Sequence, residues 1–274
     1  RGFELLAENT EFKVLEASDS DGLLFGGGTN GLIAVWNLKS LKVQTKLAGH
    51  SQEITCLECK GKSLFSASKD SQICVWNTTT MDLEYILAES PIQVECLVVN
   101  SNLVFGGYFD GVIRVWSTDK KEVLAYLEGH EQAVKALALV SPKELVSGGA
   151  DRTILVWNLI EGSIKRRVQG HEGAIEFLEL TSDKEFLVSG SSDTVKIWGV
   201  RSQTWEALEL VSQPYPKAFC YSKENNCILF ASNRQVTFKH LDLQSDLLKC
   251  IGQFSNSCVF VLEKKAATLS AFYE

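Results

Sequence analysis

Tryptophan recurs at residues 36, 76, 116, 157 and 198, with spacings of 40, 40, 41 and 41. A fixed period in this range marks a chain built from stacked repeats, and it constrains the fold more than any other feature. Each period has one internal grammar. An alternating strand comes first ("ITCLEC", "VECLVV", "VKALALV"), then a short apolar strand ending in small residues ("SLFSAS", "NLVFGG", "ELVSGG"). A tight turn with Asp or Asn leads to an alternating strand that ends in Trp ("QICVWN", "VIRVWS"). A polar turn then opens a fourth strand ("LEYILA", "EVLAYL", "IKRRV"). No stretch keeps the 3.6-residue period of a long helix. The reading is all-β, with one four-stranded sheet per period. Such a sheet cannot bury both faces alone, so successive sheets must stack.

Three stretches carry a family resemblance: "AGHSQEITCL…FSASKDSQICVWN" (48–77), "EGHEQAVKAL…VSGGADRTILVWN" (128–158) and "QGHEGAIEFL…VSGSSDTVKIW" (169–198). Their period, G-H pair and terminal Trp resemble the WD40-repeat family of β-propellers. The resemblance is strong over residues 12–200 and weaker beyond. It implies a structural role for a His before the first strand, a Ser on the second, an Asp in the next turn and the Trp on the third. Here these are His50, Ser66, Asp70 and Trp76; His130, Ser147, Asp151 and Trp157; and His171, Ser189, Asp193 and Trp198. Because His, Ser and Asp recur once per repeat and end on an indole, they are read as buried hydrogen-bonded networks, not as hydrolase triads.

Two repeats depart from the pattern. The first has Gly26 and Asn30 where Ser and Asp are expected, and the third has Gly106 and "ESP" (89–91) in place of the G-H pair. On this basis the third is expected to be the least rigid of the first five. No copy has Asp after the Trp: Asn37, Asn77, Ser117, Asn158 and Gly199 stand there, most able to bond a turn.

Beyond residue 200 the cut "AFCYS", "CILFAS", "QVTFKHL", "LLKCIG" makes a sixth, degenerate unit with Lys239 at the Trp position. "CVFVLEKKAATLSAFYE" (258–274) aligns with "ITCLECKGKSLFSASKD" (54–70), and "GFELLA" (2–7) resembles a fourth strand. The expectation is a single seven-bladed WD40 β-propeller domain over residues 1–274, with blades 6 and 7 degenerate and six blades as the alternative. Starting at Arg1, it is read as a fragment of a longer multidomain protein.

Composition bounds the chemistry. A formal charge of −7 argues against a broad nucleic-acid surface. No apolar run is long enough to span a bilayer, and no secretory leader is present. The eight cysteines include several inside apolar strands, which suits a reducing, intracellular setting, cytoplasmic or nuclear. Cys56 and Cys59 form a lone C-x-x-C, but residues three apart on a strand point to opposite faces, so no metal is expected. "NTT" (77–79) is read as a polar turn, and the glycines of "GLLFGGGTNG" (22–31) as a strand end and hairpin, since no G-K-[ST] follows. No cofactor and no enzymatic activity are expected.

What the resemblance implies is a rigid scaffold that binds other proteins or peptides on one rim of the propeller, itself monomeric. Candidate contact residues are Lys69, Tyr108, Phe109 and Arg152 in the Asp turns, with Glu53, Glu131, Glu172, Ile92 and Tyr215 in the loops before first strands. Phe109 is the sharpest, because Thr29, Lys69, Ala150 and Ser192 hold its position elsewhere. The alternative is a substrate receptor of a ubiquitin ligase, for which "WGVR" (198–201) approximates the W-D-x-R motif without its acid. An RNA-associated propeller or an enzyme ranks last.

Overall fold

The computed structural model describes residues 11–18, 21–87, 91–181, 184–191 and 194–200, together with five later strands of which only the backbone is considered. Among them are twenty-four strands arranged in six four-stranded antiparallel sheets. The first sheet comprises β1 (Phe12–Ala17), β2 (Leu23–Gly28), β3 (Ile33–Asn37) and β4 (Lys42–Leu47). The second comprises β5 (Ile54–Lys60), β6 (Ser63–Ser68), β7 (Ile73–Asn77) and β8 (Leu83–Leu87). The third holds β9 (Val94–Asn100), β10 (Leu103–Tyr108), β11 (Ile113–Ser117) and β12 (Val123–Leu127). The fourth holds β13 (Val134–Ser141), β14 (Glu144–Gly149), β15 (Ile154–Asn158) and β16 (Ser163–Val168). The fifth is β17 (Ile175–Leu180), β18 (Phe186–Ser191), β19 (Val195–Gly199) and β20 (Ala207–Val211). The sixth is β21 (Ala218–Ser222), β22 (Cys227–Ser232), β23 (Gln235–His240) and β24 (Lys249–Ser255), so "QVTFKH" is a third strand in register with its neighbours. Residues 2–7 and 258–274, on which the seventh blade rests, lie outside the described residues.

By packing, the chain divides into two compact units. One takes Phe3–Gln169 and Ala174–Phe177, and with them the first four sheets; the other takes Arg1–Gly2, Gly170–Gly173 and Leu178–Glu274.

Within the first unit the strands bury themselves in a graded way. The second and third strands of each sheet are buried at almost every position, as in "LVFGGY" and "ILVWN". Both their faces meet neighbours, so they read as near-continuous small and apolar runs rather than alternations. The fourth strands sit at the sheet edge and alternate, with one buried residue at the end, as in "KVQTKL". The core lies between successive sheets. Phe25, Ile33 and Val35 of the first pack on Ile54, Leu57, Leu64 and Trp76 of the second. Phe65, Ile73, Val75 and Leu87 of the second pack on Val94, Leu97, Val104 and Trp116 of the third. Truncating one such buried Trp to Ala would cost about 3–5 kcal/mol in lost burial and cavity.

Two recurring turns carry the sequence from strand to strand. Between second and third strands, Gly31, Ser71, Gly111 and Arg152 each adopt positive φ, from 67° to 83°. At Gly31 and Gly111 glycine is required for a second reason: an added Cβ would lie 2.6 or 2.7 Å from the carbonyl oxygen of His50 or His130 in the next loop. Between third and fourth strands, Leu41, Met81, Lys121 and Gly162 take the same left-handed conformation. Just past it, the pairing slips by one residue beside each Trp, leaving Gln44, Glu84, Leu124 and Lys165 as bulge residues.

Candidate functional site

The repeated His, Ser, Asp and Trp meet in the second and fourth sheets. His50 Nδ1 lies 2.9 Å from Asp70 Oδ2, His50 Nε2 lies 2.8 Å from Ser66 Oγ, and Trp76 Nε1 donates to the same hydroxyl oxygen at 2.8 Å. A carboxylate only accepts, so Nδ1 carries the imidazole proton and Nε2 accepts from the Ser66 hydroxyl. The hydroxyl thus donates once and accepts once, and the buried polar ends of all four side chains are satisfied. His130, Asp151, Ser147 and Trp157 repeat this at 2.9, 2.7 and 2.8 Å. In both, the aspartate also accepts the backbone amide after the histidine, from Ser51 and Glu131, which ties the leading loop to the turn.

Burial is the largest influence on His130 and pushes its pKa below the usual histidine value, favouring the neutral ring. For Asp151 burial acts upward, but hydrogen bonds from the Glu131 amide, Thr153 and His130, with the field of His130, hold the carboxyl below its usual range. The Ser–His–Asp order matches a hydrolase relay, yet Ser66 and Ser147 have no solvent exposure and their oxygens already accept an indole N–H. A substrate carbonyl has no path to them.

In the fifth sheet Trp198 Nε1 donates to Ser189 Oγ and His171 Nε2 lies 2.7 Å from it, while His171 Nδ1 is 3.1 Å from Thr194 Oγ1. Asp193 lies outside the described residues.

The third sheet solves the same problem with other residues. Trp116 Nε1 donates to the Tyr108 hydroxyl at 3.2 Å. The Arg114 guanidinium stacks 4.1 Å over the Tyr108 ring and donates twice to Asp110, at 2.8 and 3.2 Å. Gly106 makes room, since a Cβ there would come 2.9 Å from the Tyr108 ring. Tyr108 was expected on the rim; it is instead 2% exposed and takes the place of the missing serine, with Arg114 serving for the missing histidine. The signal was present in the sequence as four departures in one repeat, Gly106, Tyr108, Arg114 and the lost G-H pair. In the first sheet no such exchange is seen. The buried Trp36 Nε1 has no hydrogen-bond partner among the described residues, and the ring packs edge-on against Phe12 at 5.1 Å.

The other rim candidates lie at the end of each sheet where the Asp turn meets the leading loop. This meeting is backbone to backbone: Lys69 N donates to Glu53 O, Phe109 N to Gln93 O and Ala150 N to Ala133 O. Lys69 and Glu53 are ion-paired to each other at 3.0 Å. Phe109 is 58% exposed. Arg152, Glu131 and Glu172 are exposed, whereas Ile92 is half-buried against the core between the second and third sheets. Tyr215 lies outside the described residues.

The cysteines are placed as strand geometry demands. Cys56 packs toward the core shared with the third sheet and Cys59 toward that shared with the first. Burial pushes both thiols up to about 12. No group of metal-ligating side chains occurs among the described residues. The Asn77 side chain is engaged in its turn, accepting the amides of Thr79 and Thr80 and donating to Glu84. No helix among the described residues is long and apolar enough to cross a membrane.

Comparisons with known proteins agree with this architecture. The family described as the tRNA methyltransferase TRM82 WD40 domain matches residues 120–261, just over half of the chain. The WD domain, G-beta repeat, matches residues 41–77. No curated protein sequence matches at a significant level. Among solved structures, the crystal structure of the computationally designed Ika8 protein superposes with a TM-score of 0.76 at 27% identity, covering 96% of this chain and 84% of that one. With the repeat grammar, the four-stranded sheets and the His–Ser–Trp networks in agreement, the chain belongs to the WD40-repeat family of β-propellers.

Proposed function

We propose that this WD40 chain is a non-catalytic platform that binds partner proteins or peptides through the loop-and-turn ends of its sheets. The observation that carries the reading is the contrast at those ends. The turns are held from beneath by buried networks and backbone bonds to the leading loops, while Phe109, Glu131 and Arg152 project outward. Loops on a rigid scaffold are the usual place for binding residues, because little ordering entropy is lost on contact. The test is cross-linking of the purified chain in a cell extract, with the linked residues mapped by mass spectrometry. Cross-linked partners at residues 51–53, 69–71, 109–111, 131–133 and 150–152 are expected; partners mapping only to the fourth strands would sink the reading.

A second reading refines the first. The match over residues 120–261 to the WD40 domain of a tRNA methyltransferase favours a partner that methylates tRNA. In that case the chain should co-purify with tRNA-methylating activity from the same cells. Its depletion leaving tRNA methylation unchanged would exclude this role.

A further inference from the structure

The tight turn between β2 and β3 differs from its counterparts in one dipeptide. Asn30 stands where the second, third and fourth sheets have Asp70, Asp110 and Asp151, and glycine follows it; no other asparagine of the chain precedes glycine. Asn30 is exposed, and its Oδ1 accepts the Leu32 amide at 3.2 Å. Asn37, Asn77 and Asn158 fold their carboxamides back in the same way. Asn37 accepts the amides of Lys39 and Ser40, Asn77 those of Thr79 and Thr80, and Asn158 that of Ile160. What separates the four is the amide that comes next. In Leu38, Thr78 and Leu159 it is flanked by a side chain and donates to the carbonyl of Gly22, Lys62 or Lys143, at 2.8, 2.9 and 2.9 Å. The Gly31 amide has no side chain beside it and donates only within its own turn, to Gly28 O at 3.3 Å, which is long for such a bond.

The turn also sits on the sheet that opens most easily. In the first sheet the buried Trp36 Nε1 has no hydrogen-bond partner among the described residues, so local opening there costs less than in the satisfied sheets. Gly31 in turn abuts the next loop: a Cβ on it would stand 2.6 Å from His50 O and 2.9 Å from Gln52 O. The Asp110–Gly111 pair of the third sheet is a different case. Asp110 is an anion clasped by Arg114, and a carboxylate resists nucleophilic attack where a neutral carboxamide does not.

We propose that Asn30–Gly31 is a site of self-modification, at which the folded chain deamidates without an enzyme. Hydroxide removes the Gly31 amide proton as the turn opens, and the nitrogen attacks Asn30 Cγ. The new C–N bond closes a five-membered succinimide, and the carboxamide nitrogen leaves as ammonia. Water then adds to one of the two ring carbonyls and breaks its bond to the ring nitrogen, giving aspartate or isoaspartate. Either product adds a negative charge at the loop-and-turn end of the first sheet. Isoaspartate also lengthens the backbone by one atom, beside a glycine that already abuts the His50 and Gln52 carbonyls. It therefore loosens the loop that the Ser51 amide ties to Asp70.

The test is incubation of the purified full chain in mildly alkaline buffer, with circular dichroism confirming that it stays folded. Samples are digested and mapped by mass spectrometry, with electron-based fragmentation to separate aspartate from isoaspartate. Conversion at Asn30 should run about ten-fold or more faster than at Asn37, Asn77 or Asn158, with isoaspartate the larger product. Asn30→Ser should abolish the time-dependent change. Amide exchange on the aged chain should show reduced protection at residues 50–52. Asn30→Asp, which adds the charge without the extra backbone atom, should keep that protection. Conversion at Asn30 no faster than at the other three asparagines overturns the proposal. Isoaspartate at residue 30 that leaves residues 50–52 fully protected overturns its structural consequence. Neither result touches the platform reading, which the cross-linking experiment judges separately.

Discussion

The second and third sheets answer one demand in two ways. Each buries a tryptophan indole whose N–H must find an acceptor in a low-dielectric interior. The second uses a serine hydroxyl, a neutral histidine and an aspartate. The third uses a tyrosine hydroxyl and an arginine stacked over the ring and paired with an aspartate. The parts are not interchangeable one at a time. Tyr108 fits because residue 106 is glycine, and Arg114 serves because the histidine is absent. Departures from a repeat therefore have to be read together. The third sheet has four and still gives its Trp116 N–H an acceptor, with Arg114 Nε the buried atom left without one among the described residues, whereas in the first, Gly26 leaves Trp36 Nε1 without a described acceptor.

The largest expected effect breaks the third sheet's network. Arg114→Ala leaves Asp110 without its main partner and Tyr108 without its cover, and should cost about 3 kcal/mol in urea denaturation. A loss no greater than that of a surface substitution would show that the arginine is not structural. Next is Ser66→Ala in the second sheet. It removes the acceptor of Trp76 Nε1 and the donor to His50 Nε2, for a loss of about 1–3 kcal/mol. Gly106→Ser should destabilise by crowding Tyr108, and Tyr108→Ser in the same chain should recover part of that loss. Simple additivity would refute the coupled reading.

Acid should separate the sheets. The folded-state pKa of His130 lies below 6.5, so the unfolded chain takes up the proton first as pH falls. Its contribution is then complete above that value and declines from there down to the folded pKa. Asp151 and Asp110 are held below the usual carboxylate value of 3.8, so what they contribute is lost only at lower pH, as their folded pKa values are passed. Between pH 7.5 and 5.5, amide protection relative to the intrinsic exchange rate should fall in β15 more than in β11, and an equal fall would contradict this assignment. At neutral pH, the third sheet should protect its amides as well as the second, and the first should be the least protected of the four. The lost Ser and His signature alone led to the opposite expectation for the third. The smallest effect is that of Phe109→Ala, within about 0.5 kcal/mol in stability, because the ring is mostly exposed.

Much of this was legible in the sequence. The tryptophan spacing and strand grammar placed the sheets, including the sixth with Lys239 in place of Trp, because alternation and turn residues are local properties. The His–Ser–Asp–Trp sets of the second and fourth sheets followed from the resemblance. The faces of Cys56 and Cys59 followed from the two-residue period of a strand. The rim was less legible. Lys69 and Glu53, candidate contacts from two separate loops, are ion-paired to each other, and Ile92, another candidate, is half-buried against the core.

Tyr108 shows where the division falls. Sequence by itself placed residue 108 in the Asp turn just after a second strand, and showed that its repeat lacks both Ser and His; that it is the last residue of β10 came from the structure. Only the tertiary structure decided that the side chain turns inward. The space vacated by Gly106, the N–H of Trp116 and the guanidinium of Arg114 come together only once β10 and β11 are paired, and a residue's direction at a strand end follows the cavity and the partner it finds there.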